Sequence, residues 1–200
     1  MELEELKFQI TLQEKLLGTV PKRKDVFSRY IASERTGPEE IAAVPEGEES
    51  GYTGFFTKPE GIYLYDFHIK GFLKEAGNVL KDSMTLTLGD TSKTGKGIKN
   101  LRSKIDNYVF VFPREIRLQE RPDGVIERPL RAMTKQGPRI SLAKSDYVNA
   151  GLTFEITVKL LPHKEINRRV IETLLDYGAL KGLGQWRNGS WGRFTWSRVK

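Results

Sequence analysis

Between Gly178 and Trp196 the chain places five glycines, one lysine, two arginines and all three of its tryptophans. Together these residue types suit one kind of chemistry. A glycine backbone approaches a ligand closely and adopts positive φ. Arginine offers flat, permanently charged donors that match a phosphate. An indole presents a face on which a nucleobase stacks. From Lys181 to the last residue there are five basic side chains and no acidic one. The span reads as one wall of a nucleic-acid surface, with Lys181, Gly182, Gly184, Trp186, Arg187, Gly189 and Arg193 as contacts. No acid lies near Arg187 or Arg193 in sequence to pair them; the plainer alternative is a solvated hairpin end. Trp191 is a second stacking candidate, and Trp196 reads as a core residue.

Two further basic sites accompany it. Lys70 and Gly71, with Lys74 one turn on, lie where a helix is expected to open. Free amides and the positive dipole end would meet a phosphate there; a tight turn packed on a sheet is the plain alternative. The run Leu88–Lys104 holds five basic residues against one acid, and Lys93 and Lys96 would make it a finger over nucleic acid or a neighbouring subunit. Arg128, Arg131, Lys135 and Arg139 form another basic stretch. For both stretches a solvated surface loop is an equal reading.

Catalytic candidates are few. Cysteine is absent and there are two histidines, so no zinc or other metal site is expected. Gly89–Gly97 departs from a phosphate-binding P-loop, with five residues between its glycines and no Ser or Thr after Lys96. The C-terminal glycines follow a helix, not a strand, so they are no dinucleotide fingerprint, and no cofactor is expected. His68 and His163 remain as general acid–base candidates. An ordinary half-buried or surface histidine is the plainer reading of each.

A net charge of +7 and a pI near 9.5 favour a polyanionic partner. No apolar run reaches the roughly 18–20 residues that cross a bilayer. The start, Met-Glu-Leu-Glu-Glu, is acidic and unlike a signal peptide. No membrane partner is expected, and the expected location is the cytoplasm.

Periodicity supplies the elements that must position these residues. Leu6–Gln13 alternates as a half-buried strand. Asp66–Lys81 has helical spacing in Ile69, Phe72, Leu73, Ala76 and Leu80, with Asp66 as cap; Gly71 and Gly77 imply a close approach by something else. Tyr108–Phe112, apolar on both faces, reads as a central strand, and Arg114–Pro138 as short extended pieces with a Pro122-Asp-Gly124 turn. Leu152–Leu160 is the cleanest alternation, Lys164–Tyr177 the second helix, and Gly192–Ser197 the closing strand. Long insertions fall at about 34–60 and 86–104; a short helix is read at Asp25–Ile31. Stripped of insertions, the order strand, helix, strand, strand, helix, strand predicts a single α+β, ferredoxin-like, RRM-related βαββαβ domain over residues 1–200, with a C-terminal glycine-rich loop. Its sheet would carry helices on one face and leave the other for a ligand.

At this point a family resemblance becomes specific. Phe67-His-Ile-Lys70-Gly71-Phe-Leu-Lys74-Glu-Ala resembles the strand-to-helix segment P-G-S-S-L-K-G-x-x-R of the RAMP superfamily, the backbone and processing proteins of CRISPR RNA-guided effectors. Val148-Asn-Ala-Gly151-Leu-Thr-Phe154 resembles that family's P-x-G-x-x-F turn into a strand, and Leu180–Phe194 its glycine-rich loop. The matches keep the family's order across residues 66–196. Phe67-His68-Ile69 replaces the serine pair, and Glu75 or a later residue the helical arginine. The resemblance implies a non-catalytic protein that grips the sugar–phosphate chain of single-stranded RNA and assembles along it with copies of itself or other effector subunits. Some relatives cleave precursor RNA with a histidine that has no one fixed place; the resemblance puts His68 at a matching strand–helix junction and makes it and, less so, Asp25 the catalytic candidates. Others cut target RNA with an aspartate in the region of Asp25, whose surroundings here do not match. The alternatives are a metal-independent endoribonuclease of the same fold, or a phage or mobile-element member that interferes with host RNA-guided or nucleotide-signal defence.

Overall fold

The computed structural model describes residues 2–22, 51–81, 97–134 and 137–199, leaving aside the side chains of 130–141. In chain order these residues form β1 (Glu4–Leu12), β2 (Leu16–Leu17), β3 (Val20–Pro21), β4 (Tyr52–Gly54), β5 (Phe56–Lys58), β6 (Gly61–Tyr65), α1 (Asp66–Leu80) and α2 (Leu101–Tyr108). Then come β7 (Val109–Phe112), β8 (Glu115–Gln119), β9 (Gly124–Thr134), β10 (Gly137–Val148), β11 (Thr153–Leu160), α3 (Arg168–Asp176) and β12 (Phe194–Arg198). One four-stranded sheet runs β12-β1-β11-β7 with every neighbour antiparallel. Its strands alternate with α1 and α3 as βαββαβ, in the spatial order 4-1-3-2. The fold is the α+β, ferredoxin-like type.

Side-chain alternation makes that sheet. Leu6, Phe8, Ile10 and Leu12 of β1 and Phe154, Ile156, Val158 and Leu160 of β11 are buried on one face. Phe8 opposes Ile156, and Ile10 opposes Phe154 and Trp196. Ile69, Phe72, Leu73 and Ala76 of α1, with Val170, Ile171, Leu174 and Leu175 of α3, join the same core. Each such side chain contributes about 1.5–3 kcal/mol on burial. Asn167 caps α3, its Oδ1 accepting from the Val170 amide at 3.2 Å. Gly77 admits α2 closely: a Cβ there would stand 2.4 Å from Ile105 Cδ1.

Four local expectations change. Among the described residues β7 pairs with β11 alone and is an edge, so Phe110 and Phe112 are 40% and 44% exposed rather than central. Part of the basic insertion at 86–104 is ordered as α2, anchored by Leu101 and Ile105 four residues apart. The short pieces after Arg114 are β8 and a long hairpin, β9 on β10, with eleven residue pairs. The insertion at 34–60 contains β4 and β5 at its end, and β4 runs parallel to β10. Of these, β4 escapes local periodicity because its partner β10 lies far away in sequence. Strands β2, β10, β4, β3 and β9 form a second sheet, and β5, β6 and β8 a third. Among the described residues no helix is long and apolar enough to cross a membrane. The short helix read at Asp25–Ile31 lies outside the described residues.

Candidate nucleic-acid interface

The glycine-rich loop joins α3 to β12 and packs on the second sheet. Three of its glycines serve the chain's own backbone. Gly182, Gly184 and Gly192 have φ of 80°, 74° and 72°. A Cβ would come within 2.5 Å of Gly192 C at Gly182, 2.5 Å of Leu17 O at Gly184 and 2.0 Å of Leu183 O at Gly192. Hydrogen bonds from Leu183 N to Gly192 O (2.8 Å), Gly192 N to Lys15 O (2.8 Å) and Gln185 N to Leu17 O (3.3 Å) lock the loop. The Thr53 hydroxyl reaches Gln185 Oε1 at 2.7 Å. These close approaches require glycine without any ligand; the loop is a rigid platform.

What that platform presents is partly neutralised. Glu75, reaching across from α1, pairs with Arg187, 112 residues away in sequence. Lys181 Nζ lies 3.9 Å from the same carboxylate and donates to Asn188 Oδ1 at 2.7 Å. The absence of a local acid therefore did not mean an absence of partner. Arg193 Nε donates to Leu180 O at 3.2 Å. Trp196 stacks edge-on to Phe8 at 5.3 Å and donates Nε1 to Asp176 at 2.9 Å, which fits a core role. Trp186 and Trp191 are half-buried.

Arg128, at the base of the β9–β10 hairpin, lies with its guanidinium 3.8 Å from the centre of the Trp186 ring. Its Nε is buried without a hydrogen-bond partner, and among the described residues no ion pair neutralises it. Gly189 lies beside it; a Cβ there would be 3.8 Å from Arg128 Nη1 and 3.2 Å from Trp191 Nε1. The sequence flagged Arg128 only as part of a basic run. Its placement on an indole is a tertiary result.

The α1 site is different from its expected form. The helix opens at Asp66, so Lys70 and Gly71 lie inside it and their amides are internally bonded. At the true start, Asp66 N donates to Arg114 O at 2.9 Å and Phe67 N to Asp66 Oδ1 at 2.8 Å, so these amides are occupied. Lys70 Nζ donates to the carbonyls of Asp106, at 3.0 Å, and Val109, and covers the outer edge of β7. Burial lowers its pKa. Lys74 pairs with Asp106 at 2.9 Å. Gly71 differs: a Cβ there would meet nothing within 4 Å.

His68 is enclosed. Its Nδ1 accepts from the Tyr65 amide at 3.1 Å, and Nε2 lies 3.3 Å from Thr19 Oγ1. Phe67 stacks on the ring at 4.5 Å, and burial pushes the pKa down to about 4. Asp25, Lys93 and Lys96 lie outside the described residues. Among the described residues no group of three or more His, Asp or Glu is placed to hold a metal.

The sheet face away from the helices carries Lys7, Gln9, Thr157 and Glu155 on its central strands and Phe110 and Phe112 on the edge. Lys159 pairs with Glu5 at 2.6 Å and lies 5.1 Å from the Phe112 ring. An aromatic stacking platform in the middle of the sheet is not built. The sequence also did not signal a polar cluster where Lys22 and Tyr52 converge on Asp146 at 2.9 Å and 2.7 Å, bracing β4 against β10.

Fold and site thus define a ferredoxin-like domain with a basic and aromatic corner where loop, hairpin base and α1 meet. No family model matches the sequence, and no curated protein matches it. Among solved structures the chain is similar, over its whole length, to a chain of a type III-B Cmr-beta complex bound to cognate target RNA, at 11% identity and a TM-score of 0.48. It spans 61% of that chain's length.

Proposed function

We propose that this chain is a non-catalytic RNA-binding subunit of a CRISPR-type ribonucleoprotein, in keeping with its resemblance to RAMP proteins. It holds the sugar–phosphate backbone of single-stranded RNA at the corner formed by Arg128, Trp186, Arg187 and Lys181. The observation that supports this most is Arg128, a cation without an ionic partner among the described residues, stacked 3.8 Å over Trp186 beside a locked glycine loop. A guanidinium resting on an indole keeps its charge and its remaining N–H donors, which match a phosphate. Lys70 and Lys74 leave the contact set because carbonyls and Asp106 hold them. One such corner grips few nucleotides, so useful affinity comes from neighbouring copies or other subunits along the strand. A cytoplasmic location goes with that role.

The test is binding of a labelled single-stranded RNA, with DNA and duplex as comparisons. The Arg128→Ala/Arg187→Ala double variant is expected to lose at least tenfold in affinity, about 1.4 kcal/mol. Unchanged affinity would remove the corner from the interface. His68, enclosed and neutral, argues against the nuclease alternative.

A further inference from the structure

Glu75 lies between the cationic ends of Arg187 and Lys181. We infer that its carboxylate is a built-in stand-in for a backbone phosphate, filling the slot between Arg187 and Lys181 until single-stranded RNA displaces it. The inference rests on the RNA-binding reading above.

Three observations carry it. First, one carboxylate faces two cations: Arg187 bonds one of its oxygens and Lys181 lies 3.9 Å from the other. Asn188 Oδ1 positions the lysine at 2.7 Å. A phosphodiester, with one charge and two free oxygens, satisfies the same donors. Second, the loop is held without Glu75. Backbone bonds from Leu183, Gln185 and Gly192, and the Thr53–Gln185 contact, fix it on the second sheet. The three charged side chains are 26–33% exposed, so water and ligand reach them, and a pair so exposed adds little to stability. Third, the approach is open. Gly71 precedes Glu75 by four residues on α1, hence on the same face, and no atom of the described residues lies within 4 Å of where its Cβ would be. A strand can pass over bare helix there and arrive at the carboxylate.

Binding then requires Glu75 to leave, and its negative charge repels the incoming strand at short range. Removing the charge while keeping the volume should tighten binding. In the full-length chain, Glu75→Gln is expected to bind labelled oligouridylate about tenfold more tightly than the native protein. Glu75→Ala should change affinity in the same direction, and adding Arg187→Ala to Glu75→Gln should abolish the gain. Native-like melting temperatures in both single variants complete the expected result. Equal or weaker binding by both variants, whether or not the melting temperature also falls, overturns the inference and makes Glu75 a brace. If the native protein and both variants fail to bind RNA even at low salt, the functional reading itself falls, and this inference with it.

Discussion

His68 shows how one residue's environment decides its role. In sequence it was an acid–base candidate; in the fold it closes the start of α1 by accepting from Tyr65 N. Its pKa of about 4 lies below the ordinary 6.5, because burial disfavours the charged ring. As pH falls, the unfolded chain takes up the proton first. The stability from His68 is therefore complete above about 6.5, erodes below that, and is lost as pH passes through about 4. At roughly 1.4 kcal/mol per pH unit the ceiling is about 3 kcal/mol. Urea unfolding at stepped pH should show this loss, and His68→Gln, which keeps an acceptor at the third helical position, should flatten it. An identical pH slope in the variant would assign the loss to other groups. At this scale Arg187 was legible as a phosphate-type donor. Its partner was not, because Glu75 is remote in sequence.

Among the elements, α1 was read nearly to the residue, since its apolar stripe repeats four times around a helical period. Its two glycines looked alike in sequence and prove opposite. Gly77 is filled by Ile105 and Leu101 of α2, whereas Gly71 faces open space. Gly71→Ala should therefore stabilise the fold by about 1 kcal/mol through helix propensity alone. If RNA crosses α1 at this point, the same variant should weaken RNA binding while raising the melting temperature. A stabilised protein with unchanged affinity would move the strand's path elsewhere. The misread strand has an equally physical cause. Val109–Phe112 is apolar on both faces, and hydrophobicity alone cannot separate a covered strand from an edge whose phenylalanines face outward. Lys70, which the sequence offered as a phosphate ligand, donates instead to the Asp106 carbonyl of α2 and to the Val109 carbonyl of the edge strand.

Across the whole molecule, the net charge of +7 and the loop-corner cations set the response to salt. If several phosphates are neutralised, RNA affinity should fall with ionic strength by about 0.7 log unit per log unit of salt for each phosphate on a single strand. A titration at several salt concentrations measures the slope; a flat profile would exclude backbone gripping. The molecule-scale arrangement also explains the glycine content of the tail. The loop is wedged between β2 and its own return strand, and its tight points at Gly182, Gly184 and Gly192 admit no side chain.

Alternation and helical spacing by themselves determined the six core elements and their order, because Leu6–Leu12, Phe154–Leu160 and the two amphipathic stripes each encode one buried face locally. The same stretch of tail residues determined that cations and indoles would share a loop. Only tertiary structure decided how these cations are held. Glu75 meets Arg187, carbonyls meet Lys70, and Arg128 finds Trp186 through contacts between distant segments, and charge pairing over a few ångströms leaves no periodic trace in a chain.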